Sequence, residues 1–195
     1  MGGKIMDIIL ASASPRRKEL LNQINIDFEI MVSDVDENIT FDGDVSNYVK
    51  KLASLKANDI SSKLKKDCII IGSDTVVAFE NEILGKPKDK QDAFNMLKKL
   101  QNNKCVVATG LSIIKKEKEN IEEFIDASIC EVYLDEMTDV EIEEYIFTGE
   151  PIDKAGAFAI QGVGGRYIKK IEGDYYAVVG LPINKVYKII SKINN

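Results

Sequence analysis

The order of apolar and polar positions along the chain predicts alternating strands and helices. An apolar run at 5–11 predicts a buried strand at the start of the chain. A helix is predicted over 15–23, because Ser14 is a good N-cap and Pro15 suits the first helical position, where no N–H is needed. Apolar residues at every second position of 26–32 then predict another strand. The chain therefore begins as strand, tight turn, helix and strand.

The alternation typical of strands and the spacing typical of helices both continue to the end of the chain. Helices are predicted to follow residues that cap a helix well, namely Asp44 or Ser46, Asp89 and Thr138. Further strands are predicted over 68–79, 104–114, 121–134, 166–171 and 175–179. The strands at 104–114 and 121–134 are predicted to form one hairpin, and those at 166–171 and 175–179 another. A final helix is predicted after 180–182. This pattern predicts one α/β unit with a mixed sheet.

Composition narrows the chemistry that the chain can perform. The 195 residues are enough for one sizeable core, and no apolar run is long enough to span a membrane. With no signal-peptide pattern and three widely spaced cysteines, the expected compartment is the cytoplasm. The formal net charge of −6 argues against general nucleic-acid binding. Histidine is absent, which excludes Ser-His-Asp and Cys-His catalytic systems and argues against a zinc site.

The turn after the first strand carries an unusual group of polar residues. Arg16 and Arg17, two of only three arginines, lie in the first turn of a helix, whose partial positive charge disfavours cations. The hydroxyls of Ser12 and Ser14 lie beside the free N–H groups of the same helix end. Hydroxyl, N–H and guanidinium groups together favour a bound phosphate. The alternative is that both arginines are solvated and pair with nearby acids.

Three charged residues interrupt apolar or β-prone patterns. Lys56 lies in the middle of the apolar face of its helix, where it either snorkels to solvent or, as favoured here, points into an anionic pocket. Asp74 interrupts a β-prone run, and burying it is unfavourable unless it is paired or bound to a metal. Either the strand ends at Gly72, or it passes an active site that Asp74 faces, which is favoured here. Glu37 lies in an acidic cluster that is either a solvated loop or a metal site.

A glycine-rich segment in the second half of the chain is a further candidate site. Glycines that permit unusual backbone angles and the close approach of a ligand occur at 156, 162, 164 and 165. Lys154 and Gln161 in this segment can hold a polar ligand, and Lys86 lies in a rigid loop before a proline. The segment lacks the GxxxxGK[ST] pattern and is therefore not a P-loop.

These cations and carboxylates suit a polyphosphate bound together with Mg²⁺ or Mn²⁺. Cationic side chains neutralise phosphate oxygens, and carboxylates hold hard cations through oxygen ligands. One carboxylate can also orient or deprotonate an attacking water, so that no covalent nucleophile is needed. The residues predict metal-assisted hydrolysis of a phosphoanhydride.

Several ordered motifs resemble those of the Maf family, which is related to the HAM1 nucleotide pyrophosphatases. They are Ala11–Arg17, Gly72–Val77, Gly85–Pro87, Thr109–Gly110, Gly149–Pro151, Asp153–Gly156 with Ile160–Gly162, and Val178–Pro182. The match covers almost the whole chain. It implies a single domain over 1–195 in the α/β class, with an elongated mixed sheet flanked by helices and two lobes around a central cleft.

The resemblance implies a nucleoside triphosphate pyrophosphatase that uses Mg²⁺ or Mn²⁺ and releases a nucleoside monophosphate and pyrophosphate. By position, Asp74 is the general base and Glu37 lines the site, and the chemistry above makes Glu37 and Asp74 the candidate metal ligands. The specificity positions are Arg16, Thr75 and Gln161. The other substrate-binding residues, taken from the resemblance and from the chemistry above, are Ser12, Ser14, Arg17, Lys56, Lys86 and Lys154.

The form Asp-Lys-Ala-Gly followed by Gln-Gly resembles the branch of the family that acts on dTTP and UTP, rather than on 7-methyl-GTP. Gln161 can make paired hydrogen bonds to a pyrimidine edge. Cys105 departs from the family pattern, because many relatives carry histidine there. The expected partners are a nucleoside triphosphate and a second copy of the chain, with no nucleic acid and no membrane.

Two other functions fit the same residues. One is a nucleotide-binding regulator of septum formation and cell division without significant turnover. The other is a housecleaning enzyme that acts on inosine or modified pyrimidine triphosphates. A substrate panel separates the housecleaning enzyme from the first hypothesis, because specificity is a ratio of kcat/KM values. The regulator predicts nucleotide binding without turnover and a protein partner, which a pull-down detects.

Overall fold

The structure is a computed structural model that describes residues 6–193 and has a mixed α/β fold. The chain divides into two compact units. The first holds Thr109–Ser128 and the described parts of Met1–Asp74 and Gly180–Asn195. The second holds Thr75–Ala108 and Ile129–Val179. The single domain expected over the whole chain stays a prediction.

The strands of the described residues form one mixed sheet in the order β2-β1-β3-β5-β6-β7, with β4 paired to β3. Strand β1 is parallel to β2 and β3, whereas the β3–β4 and β6–β7 pairs are antiparallel. The strands are β1 (Asp7–Leu10), β2 (Glu29–Ile30), β3 (Cys68–Phe79), β4 (Glu82–Leu84), β5 (Lys104–Glu117), β6 (Asn120–Leu134) and β7 (Ile168–Glu172). The predicted mixed sheet is confirmed. Position 5 of the predicted first strand lies outside the described residues.

Helices separate most of the strands, and their ends follow the predicted capping residues. They are α1 (Pro15–Gln23), α2 (Val45–Lys63), α3 (Lys90–Leu100), α4 (Asp139–Phe147), α5 (Tyr175–Val179) and α6 (Ile183–Ile193). The side chains of Asp44 and Asp89 accept backbone N–H groups at the starts of α2 and α3. Thr138 and Glu141 form the predicted capping box of α4. Local capping chemistry therefore sets these boundaries.

Two predicted strands differ from the structure. Residues 175–179 form helix α5 rather than a strand, because Asp174 caps this turn by accepting the Tyr176 N–H at 2.9 Å. The strand predicted over 26–32 is reduced to the two exposed residues of β2. Ile30 and Val32 are 48% and 54% exposed, so this alternation of apolar residues does not face a core. At 175–179 a local hydrogen bond outweighed the strand pattern, and at 26–32 the alternating residues have no core to face.

Helix α2 packs directly on strands β3 and β5 within the first unit. A Cβ atom at Gly110 would lie 2.0 Å from the carbonyl oxygen of Val49, and one at Gly72 would lie 2.4 Å from that of Ala53. Real Cβ atoms do not approach backbone so closely, so both positions require glycine. This close approach brings Lys56, in the middle of α2, near the centre of β3.

Each unit has buried apolar residues of its own. Those of the first unit include Ile9, Ile60, Ile70 and Ile114. Those of the second unit include Leu97, Val132, Ile142, Tyr145 and Phe158. Within residues 6–193, no helix combines the length and apolar character needed to cross a lipid bilayer.

Candidate active site

Lys56, Asp74 and Glu37 form a charged cluster in the first unit. The Lys56 Nζ atom lies 2.5 Å from Asp74 Oδ1 and 2.9 Å from Glu37 Oε2. The side chains of Lys56 and Asp74 are 12% and 13% exposed, whereas that of Glu37 is 53% exposed. Lys56 therefore does not snorkel to solvent. Because β3 continues past Gly72, Asp74 lies inside a strand rather than in a turn.

Arg17 is buried and held by two other segments of the first unit. Its Nη1 group donates to Ser12 Oγ at 2.9 Å, and its Nε group donates to the Gly180 carbonyl at 2.9 Å. The hydroxyl of Ser73 also donates to the Gly180 carbonyl, at 3.3 Å, and to the Gly110 carbonyl, at 2.8 Å. These contacts fix the guanidinium group at the start of α1, so Arg17 is not the solvated arginine of the alternative interpretation.

The charges of the cluster affect the ionisation of Arg17. Burial lowers the pKa of Arg17 below its usual value, since it removes water from the charged group. The carboxylates of Asp74 and Glu37 oppose this effect on the pKa, and the positive charge of Arg16 adds to it. The first unit therefore brings two guanidinium groups, one ammonium group and two carboxylates into one electrostatic environment.

The hydroxyl of Ser14 is not used to cap α1. Ser14 occupies the N-cap position, but its side chain makes no capping hydrogen bond, and its backbone N–H donates to Ser12 Oγ at 3.2 Å. Ser14 and Arg16 are both partly buried. The end of α1 therefore presents a hydroxyl beside N–H groups, as an anion site requires.

The second unit contains the other four predicted substrate-binding residues. Gln161 and Lys86 are exposed, and Thr75 is partly buried at the start of this unit. The side chain of Lys154 is 13% exposed and forms an ion pair with Asp153. Two of these residues thus lie on exposed loops, and Lys154 is shielded beside its neighbour.

Backbone contacts connect the loops that carry Lys86 and Lys154. The Gly156 N–H donates to the Gly85 carbonyl at 3.0 Å. Gly156 has a φ of 66°, and a Cβ atom there would lie 3.0 Å from the side chain of Val77. The Lys86 loop and the Lys154 segment are therefore adjacent within the second unit.

The glycine-rich segment packs against side chains of its own unit. A Cβ atom at Gly162 would lie 2.2 Å from Glu150 Oε2, and one at Gly164 would lie 2.2 Å from Tyr145 Oη. The sequence led us to expect that these glycines leave room for a ligand. At these two positions the protein's own polar side chains fill the space that a Cβ atom would need, and the φ of 150° at Gly162 is one of the unusual backbone angles expected. Room for a ligand beside these glycines stays a prediction.

The model of the family described as "Maf-like protein" matches residues 7–193. The chain belongs to the Maf-like protein family. The motifs that carried the resemblance lie in the turn after β1 and the start of α1, in β3 and β5, and in the segments at 85–87, 149–162 and 178–182. Family membership therefore applies to nearly all of the described chain.

Relatives of this Maf-like protein carry a consistent name. A protein of Clostridium novyi named "dTTP/UTP pyrophosphatase" is 50% identical, covering 94% of this chain and 96% of its own. Proteins with the same name from Clostridium beijerinckii and Thermoanaerobacter pseudethanolicus are 48% and 46% identical, each covering 96% of this chain and 100% and 96% of their own. The solved Ham1 protein of Staphylococcus aureus is 17% identical, with a TM-score of 0.45 and coverage of 66% of this chain and 71% of its own.

Two residues of the Maf-like protein's first-unit cluster were not found from the sequence. Tyr48 lies on α2 two turns before Lys56, and its pKa is raised by burial and by the charges of Asp74 and Glu37. Ser73 is fully buried beside Asp74 in β3. Ser73 belongs to the Gly72–Val77 motif but was not singled out, and nothing in the sequence pattern distinguished Tyr48.

Glu37 and Asp74 can bind a hard cation such as Mg²⁺ only together with other ligands, such as phosphate oxygens and water. Among the described residues, no group of three or more histidine, cysteine or acidic side chains is arranged to hold a metal ion. Glu37 and Asp74 nevertheless reach a common cation, the ammonium of Lys56. Magnesium is often bound by one or two carboxylates together with substrate phosphates and water, so this donor set fits it.

Cys105, which departs from the family pattern, is a buried residue of the second unit's core. Its exposed fraction is 2%, and burial raises the pKa of its thiol to about 12. Cys105 therefore lies among apolar residues as a protonated thiol, with no sign of the polar role that a histidine could have there.

We expect Cys105 to resist alkylation in the folded protein. The thiolate is the reactive form, and at pH 8 the raised pKa makes its fraction about a thousandfold smaller than that of a thiol at its usual value. Iodoacetamide labelling followed by mass spectrometry of the peptide measures this, and the same reaction in guanidinium chloride is the control. Rapid labelling of Cys105 in the native protein would contradict its assignment to the core.

Proposed function

We propose that this protein is a nucleoside triphosphate pyrophosphatase that hydrolyses dTTP and UTP to the nucleoside monophosphate and pyrophosphate. The observation that carries the proposal is the buried contact of Lys56 with Asp74, in the electrostatic environment of Arg17. A strand-borne carboxylate among fixed cations suits water attack on a polyphosphate. The names of the relatives support pyrimidine triphosphates as substrates.

Asp74 is the proposed general base. Lys56 contacts Oδ1 of this carboxylate at 2.5 Å and so orients it, and we assign the proton of the attacking water to Oδ2. Strand β3 holds the backbone of Asp74 rigidly, which limits the motion of the base. A well-placed general base contributes about 10²–10⁴-fold to the rate.

The start of α1 is the proposed phosphate site of the first unit. Backbone N–H groups and the hydroxyls of Ser12 and Ser14 can donate to phosphate oxygens, and Arg17 and Arg16 supply positive charge. Burial strengthens the field of Arg17, because less water screens it. In the second unit, Lys86 and Lys154 are proposed to bind phosphate oxygens as well.

Glu37 and Asp74 are the residues that would hold a divalent cation, Mg²⁺ or Mn²⁺. When bound, the ion would neutralise charge on the phosphate oxygens and so favour attack by water. Lys56 provides a positive charge for the same two carboxylates in the resting protein. This arrangement lessens the repulsion between them.

Gln161 is the proposed reader of the base. Its amide carries one acceptor and two donors, which can pair with the N3–H and O4 groups of uracil and thymine. Gln161 is exposed on its loop and therefore accessible to a base. Thr75 and Arg16 are the other proposed specificity positions.

A panel of nucleoside triphosphates tests the proposed function. We expect kcat/KM to be highest for dTTP and UTP with added Mg²⁺ or Mn²⁺, and the products to be the monophosphate and pyrophosphate. Product analysis by ion-exchange chromatography distinguishes pyrophosphate from orthophosphate release. Diphosphate products, a clear preference for inosine triphosphate, or binding without turnover would each contradict the proposal. The homodimer, the cytoplasmic location and the absence of nucleic-acid binding stay predictions.

A further inference from the structure

We infer that Tyr145 and Glu150 are positioning residues that fix the segment 159–164, and with it the side chain of Gln161, for discrimination between bases. The inference rests on the proposed function, because it assigns base reading to Gln161. Neither Tyr145 nor Glu150 is among the predicted site residues.

Hydrogen bonds that these two residues accept hold the segment on both sides of Gln161. The Ala159 N–H donates to Tyr145 Oη at 3.2 Å, two residues before Gln161. The Val163 N–H donates to Glu150 Oε2 at 2.8 Å, two residues after it. Gln161 therefore lies midway between two anchored backbone positions.

The two anchors are themselves joined. Tyr145 Oη donates to Glu150 Oε1 at 2.7 Å, and the same oxygen accepts the Gly164 N–H at 2.9 Å. Tyr145 is fully buried in helix α4, so the network is attached to the core of the second unit. Movement at one anchor is thereby opposed by the other.

Glu150 has the charge state that this role needs. Burial by itself would raise the pKa of Glu150, but the Gly164 N–H, the Tyr145 hydroxyl and the Val163 N–H outweigh it and hold the pKa below its usual value. The carboxylate is therefore ionised at neutral pH and acts only as an acceptor. It satisfies backbone N–H groups of a segment that has little regular structure.

Base discrimination by a glutamine requires a fixed orientation. The oxygen and nitrogen of a glutamine amide exchange places on a half turn, so a freely moving side chain can match uracil or cytosine. Uracil presents an N3–H donor and an O4 acceptor, whereas cytosine presents an acceptor and a donor at these positions. A segment anchored on both sides fixes the backbone position of Gln161, and with it the distance and direction from which the amide can meet a base edge. A loosened segment lets the side chain shift until either amide orientation fits its base.

The variants Glu150→Gln and Tyr145→Phe test the inference. Each removes at least one hydrogen bond of the network with little change in volume. In each variant, we expect the ratio of kcat/KM for UTP to kcat/KM for CTP to fall about tenfold. The fall should come from changes in KM, while kcat for UTP stays within about twofold of wild type. The double variant is expected to match the more affected single variant, because the two residues act as one network.

Thr138→Ala is the matched control. It removes the capping box of α4, the helix that carries Tyr145, and so destabilises the same element without touching the segment. We expect it to lower the melting temperature while the UTP to CTP ratio stays at the wild-type value. Hydrogen exchange of the Ala159, Val163 and Gly164 amides should rise in the two test variants only.

The outcomes separate this inference from the proposed function. If the wild-type enzyme prefers UTP to CTP and the two variants keep the same ratio of kcat/KM, the positioning role alone is overturned. The same holds if the Ala159, Val163 and Gly164 amides of the variants exchange as in wild type. A wild-type protein that hydrolysed neither UTP nor dTTP would overturn the proposed function, whatever the exchange rates showed.

Discussion

Asp74→Asn is expected to lower kcat for UTP and dTTP by about 10³-fold while nucleotide binding is kept. Asparagine matches the size of aspartate, and its amide oxygen can still accept from Lys56, but it cannot take a proton from water. Without added metal, removing a negative charge next to the bound triphosphate should leave the affinity equal or higher. Turnover is measured as pyrophosphate release, and binding by calorimetry with UTP, which the variant would consume only slowly.

Asp7→Asn provides the control for this experiment. Asp7 is also in the first unit and also pairs with a lysine, Lys66, but the side chains of this pair are 58% and 42% exposed. Its loss should leave kcat and KM unchanged, since surface ion pairs contribute little. Full turnover by the Asp74 variant would show that another group activates the water.

Gly110→Ala is expected to destabilise the protein by about 3 kcal/mol, the upper end for an overpacked site. The added methyl group would meet the backbone carbonyl of Val49 at 2.0 Å, and a helix backbone cannot yield as a flexible side chain can. For a chain of this size, the loss corresponds to a melting temperature about 10 °C lower. Circular dichroism at 222 nm follows the transition.

Gly85→Ala is the matched control for this substitution. Nothing lies within 4 Å of the Cβ position at Gly85, and its φ is not positive. We expect its melting temperature to stay within about 2 °C of wild type. Equal melting temperatures for the two variants would contradict the close contact between α2 and β5.

Local signals allowed most of the fold to be predicted. Helix α1 spans the predicted residues, because a proline and an N-cap position fix its start. Residues 175–179 show the limit of such patterns. Their aromatic and β-branched side chains favour a strand, but the carbonyl of Asp174 accepts the Val178 N–H at 3.2 Å and closes a helical turn. A single backbone capping arrangement outweighed side-chain propensity there.

The candidate site was predicted where polar residues interrupt apolar patterns. Lys56 and Asp74 stood out because charge in a buried stripe or strand needs a partner, and each is the other's partner. Glu150 gave no such signal, since it lies in a turn where acids are common. Its partners are 5, 13 and 14 residues away, and only the folded backbone brings them together.

The crowding around Gly162 and Gly164 also has a consequence for protein engineering. Gly162 has a φ of 150°, which strains any other residue, and a Cβ atom at Gly164 would meet the Ala159 carbonyl oxygen as well as Tyr145, so shrinking Glu150 or Tyr145 does not open either position. Gln161 is exposed and free of this restriction. A library intended to redirect the enzyme to another nucleobase should therefore randomise position 161 and leave its glycine neighbours unchanged.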